Sequence, residues 1–298
     1  MSRLGALFFR LSLLYAIAMY SQQGLSCSSC GSGGADPVIL NPSEYTKLYL
    51  GLSLQSAFSD VDHLGNKRQS YGADRRYTQT LAVAQRLQPK LFLSLVSGLG
   101  INQKGGNEEI GLLDTSIGAR ATLLEQSFLE PWLPQVQLLF SHRFTTTKSI
   151  YDSKKEYYLD AFGAGFDETY TGIDIWFGMM PILFGGSYLH SFARKAKSDS
   201  IDVTPGNLQR FILTAGFMPL SNAKLIGGVM MENRSQNKVD GELLANSERS
   251  SNDVFLTFET LDPGTDTFRI NIVRKSAWGK NKNSAISNAI TLAWMRPL

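Results

Sequence analysis

This 298-residue chain contains two dipeptides of serine and histidine, which are residue types that could support catalysis. Ser141 precedes His142, and His190 precedes Ser191. A serine with a nearby histidine suggests a nucleophile and its base. Both dipeptides lie in segments that alternate like β-strands, where adjacent side chains point to opposite faces. Neither can form a nucleophile-base pair within one strand, so we expect no enzyme.

The chain has two cysteines, Cys27 and Cys30, which are separated by two serines and followed by a Gly/Ser run. Three interpretations are open: a local disulfide in an oxidising compartment, a lipid on Cys27, or a redox or metal role. A reactive thiol needs a helix N-terminus or a cation beside it, and a structural zinc ion needs four ligands. We favour the disulfide, and we expect no metal and no cofactor.

The first residues have the features of a secretory signal. Arg3 and Arg10 flank or interrupt an apolar region that continues over 11–20, and Gly24 and Ser26 supply small residues before a cleavage site. The apolar run is shorter than the roughly 20 residues that a membrane-spanning helix needs. We expect three parts: a signal peptide at 1–26, a periplasmic Cys/Gly-rich segment at 27–44, and one domain at 45–298.

Most of that domain alternates with a period of two, which is typical of β-strands and incompatible with helices. The clearest case is 45–55, where Leu48, Leu50, Leu52 and Leu54 share one face. The pattern predicts an all-β, antiparallel fold of about twelve strands. The predicted segments lie at 45–55, 76–87, 91–102, 111–124, 135–145, about 173–177, 182–193, 208–217, 224–232, about 254–259, about 268–272 and 285–295.

The connections between these segments alternate in length, as they do in membrane β-barrels, where short periplasmic turns alternate with long external loops. The predicted long loops are at 59–75, 146–168, 194–206 and 233–252. Asp167 and Glu168 therefore belong to a solvated loop in this interpretation. The short turns are at 88–89, 180–181, 218–222 and 262–265. An even strand number places both termini in the periplasm.

This pattern resembles that of bacterial outer-membrane β-barrel proteins over about residues 45–298. The resemblance implies a porin-like transmembrane barrel in a Gram-negative outer membrane, with membrane lipid, small solutes and the barrel-assembly machinery as partners. The alternative fold is a soluble sandwich or lipocalin-like barrel, in which the strand side chains opposite the apolar face would be uniformly polar. Here those positions mix Gly, Ser and Ala with single charges, which suits a narrow lumen. The chain ends Trp294-Met295-Arg296-Pro297-Leu298, whereas such barrels commonly end in an aromatic residue.

Charge and composition exclude little else. The formal net charge is +3, hydrophobic residues make up 43%, and no Lys/Arg run suggests a nucleic-acid site. The mean hydropathy of -0.10 is compatible with a barrel, because such a wall has one wet face.

The candidate site is the set of charged residues on the parity opposite the apolar one. If the lumen is open, these residues set the field for solutes, and a basic excess favours anions. If they pair across strands, they close the lumen, and a twelve-stranded bore is compatible with both outcomes. The set consists of Lys47, Arg86, Asp114, Arg120, Arg143, Asp174, Arg210, Lys224, Glu232, Glu259 and Arg269.

We therefore expect a channel or transport protein for small solutes, with the inward basic residues as selectivity determinants. The alternative is a non-conducting structural or surface-interaction barrel that acts through its long loops. One pairing is specific enough to test: Glu259 and Arg269 lie five residues either side of Gly264, in a strong turn signal. We expect them to pair inside the lumen.

Overall fold

The computed structural model describes residues 40, 44–70, 73–126, 133–148, 153–179, 181–196, 202–220, 222–260 and 265–298. The proposed signal peptide and both cysteines lie outside the described residues. No described helix is both long and apolar enough to cross a membrane.

The described chain is almost entirely β-structure, with one 3-10 turn at Glu156–Tyr158. In chain order the strands are β1 (Thr46–Val61), β2 (Lys67–Arg68), β3 (Arg75–Gln88), β4 (Leu91–Lys104), β5 (Asn107–Leu112), β6 (Thr115–Leu124), β7 (Gln135–Phe144), β8 (Glu168–Met179), β9 (Ile182–Ala193), β10 (Val203–Thr204), β11 (Leu208–Leu220), β12 (Ala223–Arg234), β13 (Lys238–Val239), β14 (Glu242–Leu243), β15 (Arg249–Thr260), β16 (Thr267–Lys275) and β17 (Ser284–Pro297).

The long strands form one closed antiparallel barrel. Each pairs with its neighbours along the chain, and β17 pairs with β1 over fourteen residue pairs from Lys47↔Pro297 to Val61↔Ser284, which removes both sheet edges. Counting β5 and β6 as one interrupted strand, the described wall has twelve strands, as the alternation predicts. The prediction of an all-β barrel is confirmed.

The wall is inverted relative to a soluble protein, because its large apolar side chains point outward. Leu52, Phe140 and Leu256 are 46–54% exposed, whereas Lys47 and Asp174 are 4% and 2% exposed. Lipid solvates such an apolar outer face and water does not, so this distribution is typical of a membrane barrel. It argues against the soluble β-barrel.

The predicted segment 111–124 is not one strand. Leu113 and Asp114 interrupt it between β5 and β6, at a bulge opposite Gly98, to whose carbonyl Leu113 N–H donates. The extra residue reverses the parity, so the prediction that Leu113 faces lipid is wrong. Its side chain lies on the lumen face, 3.1 Å from where a Cβ on Gly98 or Gly100 would stand.

The strands also extend further than predicted at the end of the barrel that carries the long loops, which we name the external end after the predicted orientation. The opposite end, with Thr46, Pro297 and the short turns, is named the periplasmic end. β1 continues to Val61, and β8 begins at Glu168, so this residue belongs to the wall and not to a solvated loop. β9 has the register that its apolar sequence left open. Leu183 and Leu189 are buried inside, and Phe184 and Phe192 are exposed outside.

The external connections have structure of their own. β10, β13 and β14 form a small three-stranded sheet from two different loops. The loop between β7 and β8 folds back toward the barrel mouth, where it contacts Asp114 and Asn102.

Candidate functional site

The periplasmic half of the barrel interior contains a carboxylate between two cations. Glu259 on β15 accepts from Lys224 Nζ at 2.9 Å and from Arg269 Nε at 2.7 Å. These three residues are direct partners in one row across β12, β15 and β16. All three are at most 4% exposed, so the row fills its part of the lumen.

A second buried row crosses β6, β7 and β8. Arg120 and Asp174 pair at 2.5 Å, and the side chains are 4% and 3% exposed. Gln137 lies in register with Asp174 and donates to the hydroxyl of Thr122 at 3.2 Å. Buried charges are tolerated when they are paired and hydrogen-bonded, and this row meets that condition.

The periplasmic end is packed as well. Lys47 pairs with Glu44 at 2.6 Å, and Leu40 packs with Tyr49, Phe92 and Met295 in one buried cluster. The described part of the lumen is therefore filled by side chains at this end.

Arg86 shares the inward parity but contributes differently from the other predicted lumen residues. It lies at the periplasmic end of β3, where its guanidinium donates to the backbone carbonyls of Glu44 at 2.8 Å and Pro89 at 2.5 Å. Arg86 therefore stabilises the segment that leads into β1 and the turn between β3 and β4.

The external half is more open and contains a carboxylate that the sequence analysis missed. Glu168 accepts from Arg143 at 2.6 Å, from Arg234 at 2.7 Å and from Tyr170 Oη at 2.5 Å, and Ser191 also donates to it. Glu168 itself is fully buried. Glu168 has the same parity as Asp174, six residues later. Extending the predicted strand back to Glu168 would therefore have placed this carboxylate inside the barrel.

Arg210 and Glu232 form another cross-strand pair in this half. They are direct partners on β11 and β12, and Glu232 accepts from Arg210 Nη2 at 2.7 Å and from its Nε at 3.0 Å. Both side chains keep about one sixth of their surface exposed, at 15% and 16%.

Asp114 anchors the inward-folded loop, and does not line an open passage. Its carboxylate accepts from Ala164 N–H at 2.7 Å, from the Thr147 hydroxyl at 2.9 Å and from Thr146 N–H at 3.2 Å. The bulge at Leu113 and Asp114 positions this carboxylate under the loop.

Two further contacts hold the same loop in the barrel mouth. Asn102 on β4 donates to the carbonyls of Leu159 and Ala161 at 2.9 and 3.2 Å. Phe162 packs where Gly111 and Gly100 leave space, since a Cβ on either would stand 2.3 or 2.9 Å from its ring. The loop thus narrows the external entrance.

The serine and histidine pairs do not form a catalytic arrangement. His142 Nδ1 lies 2.9 Å from the Thr169 hydroxyl, and His190 packs edge-on against Phe192 at 4.6 Å. Ser191 faces the interior and donates to Glu168. Among the residues that the structure describes, no three His, Cys, Asp or Glu side chains form a metal-binding group.

A closed antiparallel barrel with an apolar outer face and a charged interior is the architecture of outer-membrane β-barrel proteins. The chain matches no protein-family model and no curated protein sequence. Among solved structures it is similar to an outer membrane channel from Pseudomonas putida F1, with a TM-score of 0.69 and 11% identity over 89% of this chain and 99% of that one. It is also similar to the NanC porin, with a TM-score of 0.52 and 11% identity over 84% and 100% of the two chains. Such low identities establish the fold alone.

Proposed function

We propose that the protein is an outer-membrane channel for small solutes, with a narrow lumen lined by mixed charges. The observation that supports it best is the exposure of charged side chains inside a closed wall. Arg143, Arg210 and Arg234 point into the barrel and are 27%, 15% and 16% exposed. Water therefore has access to the external half of the lumen.

The two halves of the lumen have different roles in this proposal. The external half, with Arg143 and Arg210, is a hydrated vestibule whose charges select solutes. The periplasmic half, with the rows of Arg120–Asp174 and Lys224–Glu259–Arg269, is the constriction. Because those rows are almost completely buried, they set the size limit, and a solute passes when side chains there rearrange.

Single-channel recording tests the proposal. Purified, refolded protein is added to planar bilayers, and we expect stable conductance steps that heat-denatured protein does not produce. Folding is verified independently by the shift in electrophoretic mobility between unheated and boiled samples. Consistent silence from folded protein would overturn the channel proposal.

A second candidate function is a non-conducting barrel that acts through its external loops. The packed periplasmic half favours it, and so does a groove of about 580 Å³ among the external loops. Thr204, Asn207, Ser235, Lys238 and Glu248 line this groove together with neighbouring loop residues. Silent bilayers, combined with a binding activity that is lost when loop residues 236–247 are replaced by a short glycine linker, would support this function instead.

The N-terminal predictions remain part of the proposal. Export requires removal of residues 1–26, insertion by the barrel-assembly machinery, and both termini in the periplasm. We expect mass spectrometry of the mature protein to find a chain that begins at Cys27, with Cys27 and Cys30 oxidised to a disulfide. Acyl chains on Cys27 would instead establish lipidation, and a chain that retains Met1 would contradict the signal peptide.

A further inference from the structure

Three cations on the lumen parity of the external half take no part in an ion pair. They are Arg76 on β3, Arg249 on β15 and Lys275 on β16, and among the described residues none of them forms a salt bridge. Arg249 is exposed, and Arg76 and Lys275 are half-buried. Arg76 donates to the carbonyl of Phe162 at 3.1 Å and Lys275 donates to Gln55 Oε1 at 3.5 Å, so neutral oxygens accept from these two cations. Arg120 and Lys224, by contrast, bind carboxylates at 2.5 and 2.9 Å.

Two of these cations neighbour one glutamine. Gln55 on β1 is the direct cross-strand partner of Arg76, and its Oε1 lies 3.5 Å from Lys275 Nζ, which reaches across β17. The amide of Gln55 is held by a donation to the Ser287 hydroxyl at 3.2 Å. Arg76 and Lys275 therefore approach the same part of the lumen from opposite sides of Gln55.

Arg249 completes the group from the other side of Lys275. It is the direct partner of Arg234, and it is close enough to Lys275 for mutual repulsion. Arg76 adds to the same repulsion at Lys275. Three positive charges thus act on one region of a closed barrel.

The carboxylates nearest to this group already have other donors. Glu232 attracts Arg249 and Lys275 from a distance, but it is bound by two nitrogens of Arg210. Asp253 also attracts Lys275, and it accepts from Ser276 N–H at 2.9 Å and from the Ser251 hydroxyl.

Asp114 is the carboxylate that attracts Arg76, and it too is engaged elsewhere. Its oxygens accept from the inward loop, from Ala164 N–H and the Thr147 hydroxyl, and Arg143 Nε is 4.0 Å away. The local positive charge of the three cations is therefore only partly balanced by the protein.

From this geometry we propose that Arg76, Arg249 and Lys275 form a binding site for small oxyanions, carboxylates or phosphates, in the external half of the lumen. The low-dielectric barrel wall focuses the positive potential and concentrates anions at the site. Guanidinium groups match the planar oxygens of a carboxylate or phosphate. The inference rests on the proposed channel function, and it names the solutes that the channel prefers as small organic or inorganic oxyanions.

Equilibrium binding tests the site without requiring conduction. Folded protein in detergent is titrated calorimetrically with citrate, with inorganic phosphate and with uncharged glycerol. We expect citrate or phosphate to bind and glycerol not to bind. Binding of one anion identifies the carboxylate or the phosphate as the ligand, and absence of binding by both overturns the proposal.

The triple variant Arg76→Gln, Arg249→Gln, Lys275→Gln removes the charge with little change in length. We expect it to weaken anion binding at least about tenfold, because a hydrogen bond to a charged group contributes about 1.5 kcal/mol or more. The matched control is Lys195→Gln with Lys238→Gln, which removes two charges from external loops and leaves binding unchanged. Equal weakening in both variants contradicts the site. If the triple variant does not fold, Arg249→Gln alone replaces it, since that side chain is exposed.

Reversal potentials in a KCl gradient then separate this inference from the channel proposal. We expect the wild type to prefer chloride to potassium, and the triple variant to lose most of that preference while it still conducts. Conductance without anion preference and without citrate or phosphate binding overturns the site alone. Silent bilayers overturn the channel, and the calorimetric result still decides whether the site exists.

Discussion

Glu259 on β15 and Arg269 on β16 face each other inside the barrel, and the carboxylate accepts from Arg269 Nε at 2.7 Å. Their equal spacing around Gly264 predicts this pairing, which is confirmed, although Gly264 itself lies outside the described residues. Lys224 on the neighbouring strand binds the other carboxylate oxygen at 2.9 Å. The pairing fixes the register of three strands and places two positive charges on one negative charge.

We predict that Glu259→Gln strongly destabilises the barrel. The substitution leaves Lys224 and Arg269 as buried charges without their counterion, and breaking a buried pair in this way costs about 3–5 kcal/mol. Urea unfolding of the protein in lipid vesicles measures the change. Glu248→Gln is the control, because its partner Lys282 is in an external loop, and it leaves the unfolding midpoint unchanged. A Glu259 variant as stable as wild type would show that the row is not packed as described.

A second prediction concerns which face of the wall meets lipid. Leu52 lies in the middle of β1, points outward and is 54% exposed. An arginine at the bilayer midplane of such a barrel costs about 2–4 kcal/mol, so Leu52→Arg should lower the free energy of unfolding in vesicles by that amount. Leu64→Arg, at a 73% exposed loop position, is the control and should have no effect. Equal effects of the two substitutions would argue against a lipid-facing wall.

The strands and their two faces were predictable because alternation depends on neighbouring residues alone. Lys47, Asp174 and Glu259 lie inside as the parity requires, and β17 reaches β1 to close the sheet. Local alternation has a single period, and every strand of the wall has one lipid face. Pattern and burial therefore agree wherever the strand is regular.

The bulge at Asp114, the inward loop and the position of Glu168 depend on contacts between segments that are distant in sequence. Neighbouring residues therefore do not reveal them. In the sequence Asp114 continues an alternating segment, but its carboxylate accepts hydrogen bonds from loop residues 32 to 50 positions later. Glu168 follows a polar stretch that predicts a loop, whereas Arg143 and Arg234 from two other strands stabilise its charge inside the barrel. A bulge and an inward loop are decided by such long-range partners.

Asp114 should control how firmly the inward loop is held. Asp114→Ala removes the acceptor of Ala164 N–H, Thr146 N–H and the Thr147 hydroxyl, so we expect the loop to leave the barrel mouth more often. Trypsin cleavage after Lys154 and Lys155 measures this, and it should become several-fold faster. Asp74→Ala, which removes an exposed carboxylate of another external loop, should leave the cleavage rate unchanged. A rate that is equal in both variants would show that Asp114 does not anchor the loop.

The first external loop provides a test that depends on pH. Asp62 accepts from Asn66 N–H at 2.8 Å and from Leu64 N–H at 2.9 Å. The bond from Asn66, more than that from Leu64, holds the pKa of the Asp62 carboxyl below its ordinary value. Because the pKa of Asp62 is lower in the folded than in the unfolded chain, the ionised carboxylate stabilises the turn at pH values above the unfolded-state pKa. This contribution is lost as the pH falls through the folded-state pKa.

Carbon-detected NMR of the folded protein should therefore give a titration midpoint for Asp62 below about 3.9, the ordinary value for an aspartate. The same carboxyl in the urea-unfolded chain is the reference. Amide shifts of Leu64 and Asn66 should change at the lower midpoint in the folded protein. Identical midpoints in the two states would mean that the turn does not form in solution.

The contact between Gly111 and Phe162 gives the sharpest test of the inward loop. A Cβ at position 111 would lie 2.3 Å from the nearest atom of the Phe162 ring and 2.6 Å from the next, so the ring must move if a methyl group is added there. We predict that Gly111→Ala destabilises the protein by about 1–3 kcal/mol, the usual cost of overpacking, and that it speeds trypsin cleavage of the loop. Gly227→Ala is the matched control, since its Cβ would meet nothing nearer than 3.9 Å.

Adding Phe162→Ala distinguishes this contact from a general strand defect. If the methyl group acts by displacing the ring, removing the ring relieves the crowding. The double variant then loses less stability than the two single variants lose together. Contacting residues in such cycles show interaction energies of about 0.5–3 kcal/mol. Additive effects would place Phe162 away from Gly111 and the loop outside the barrel mouth.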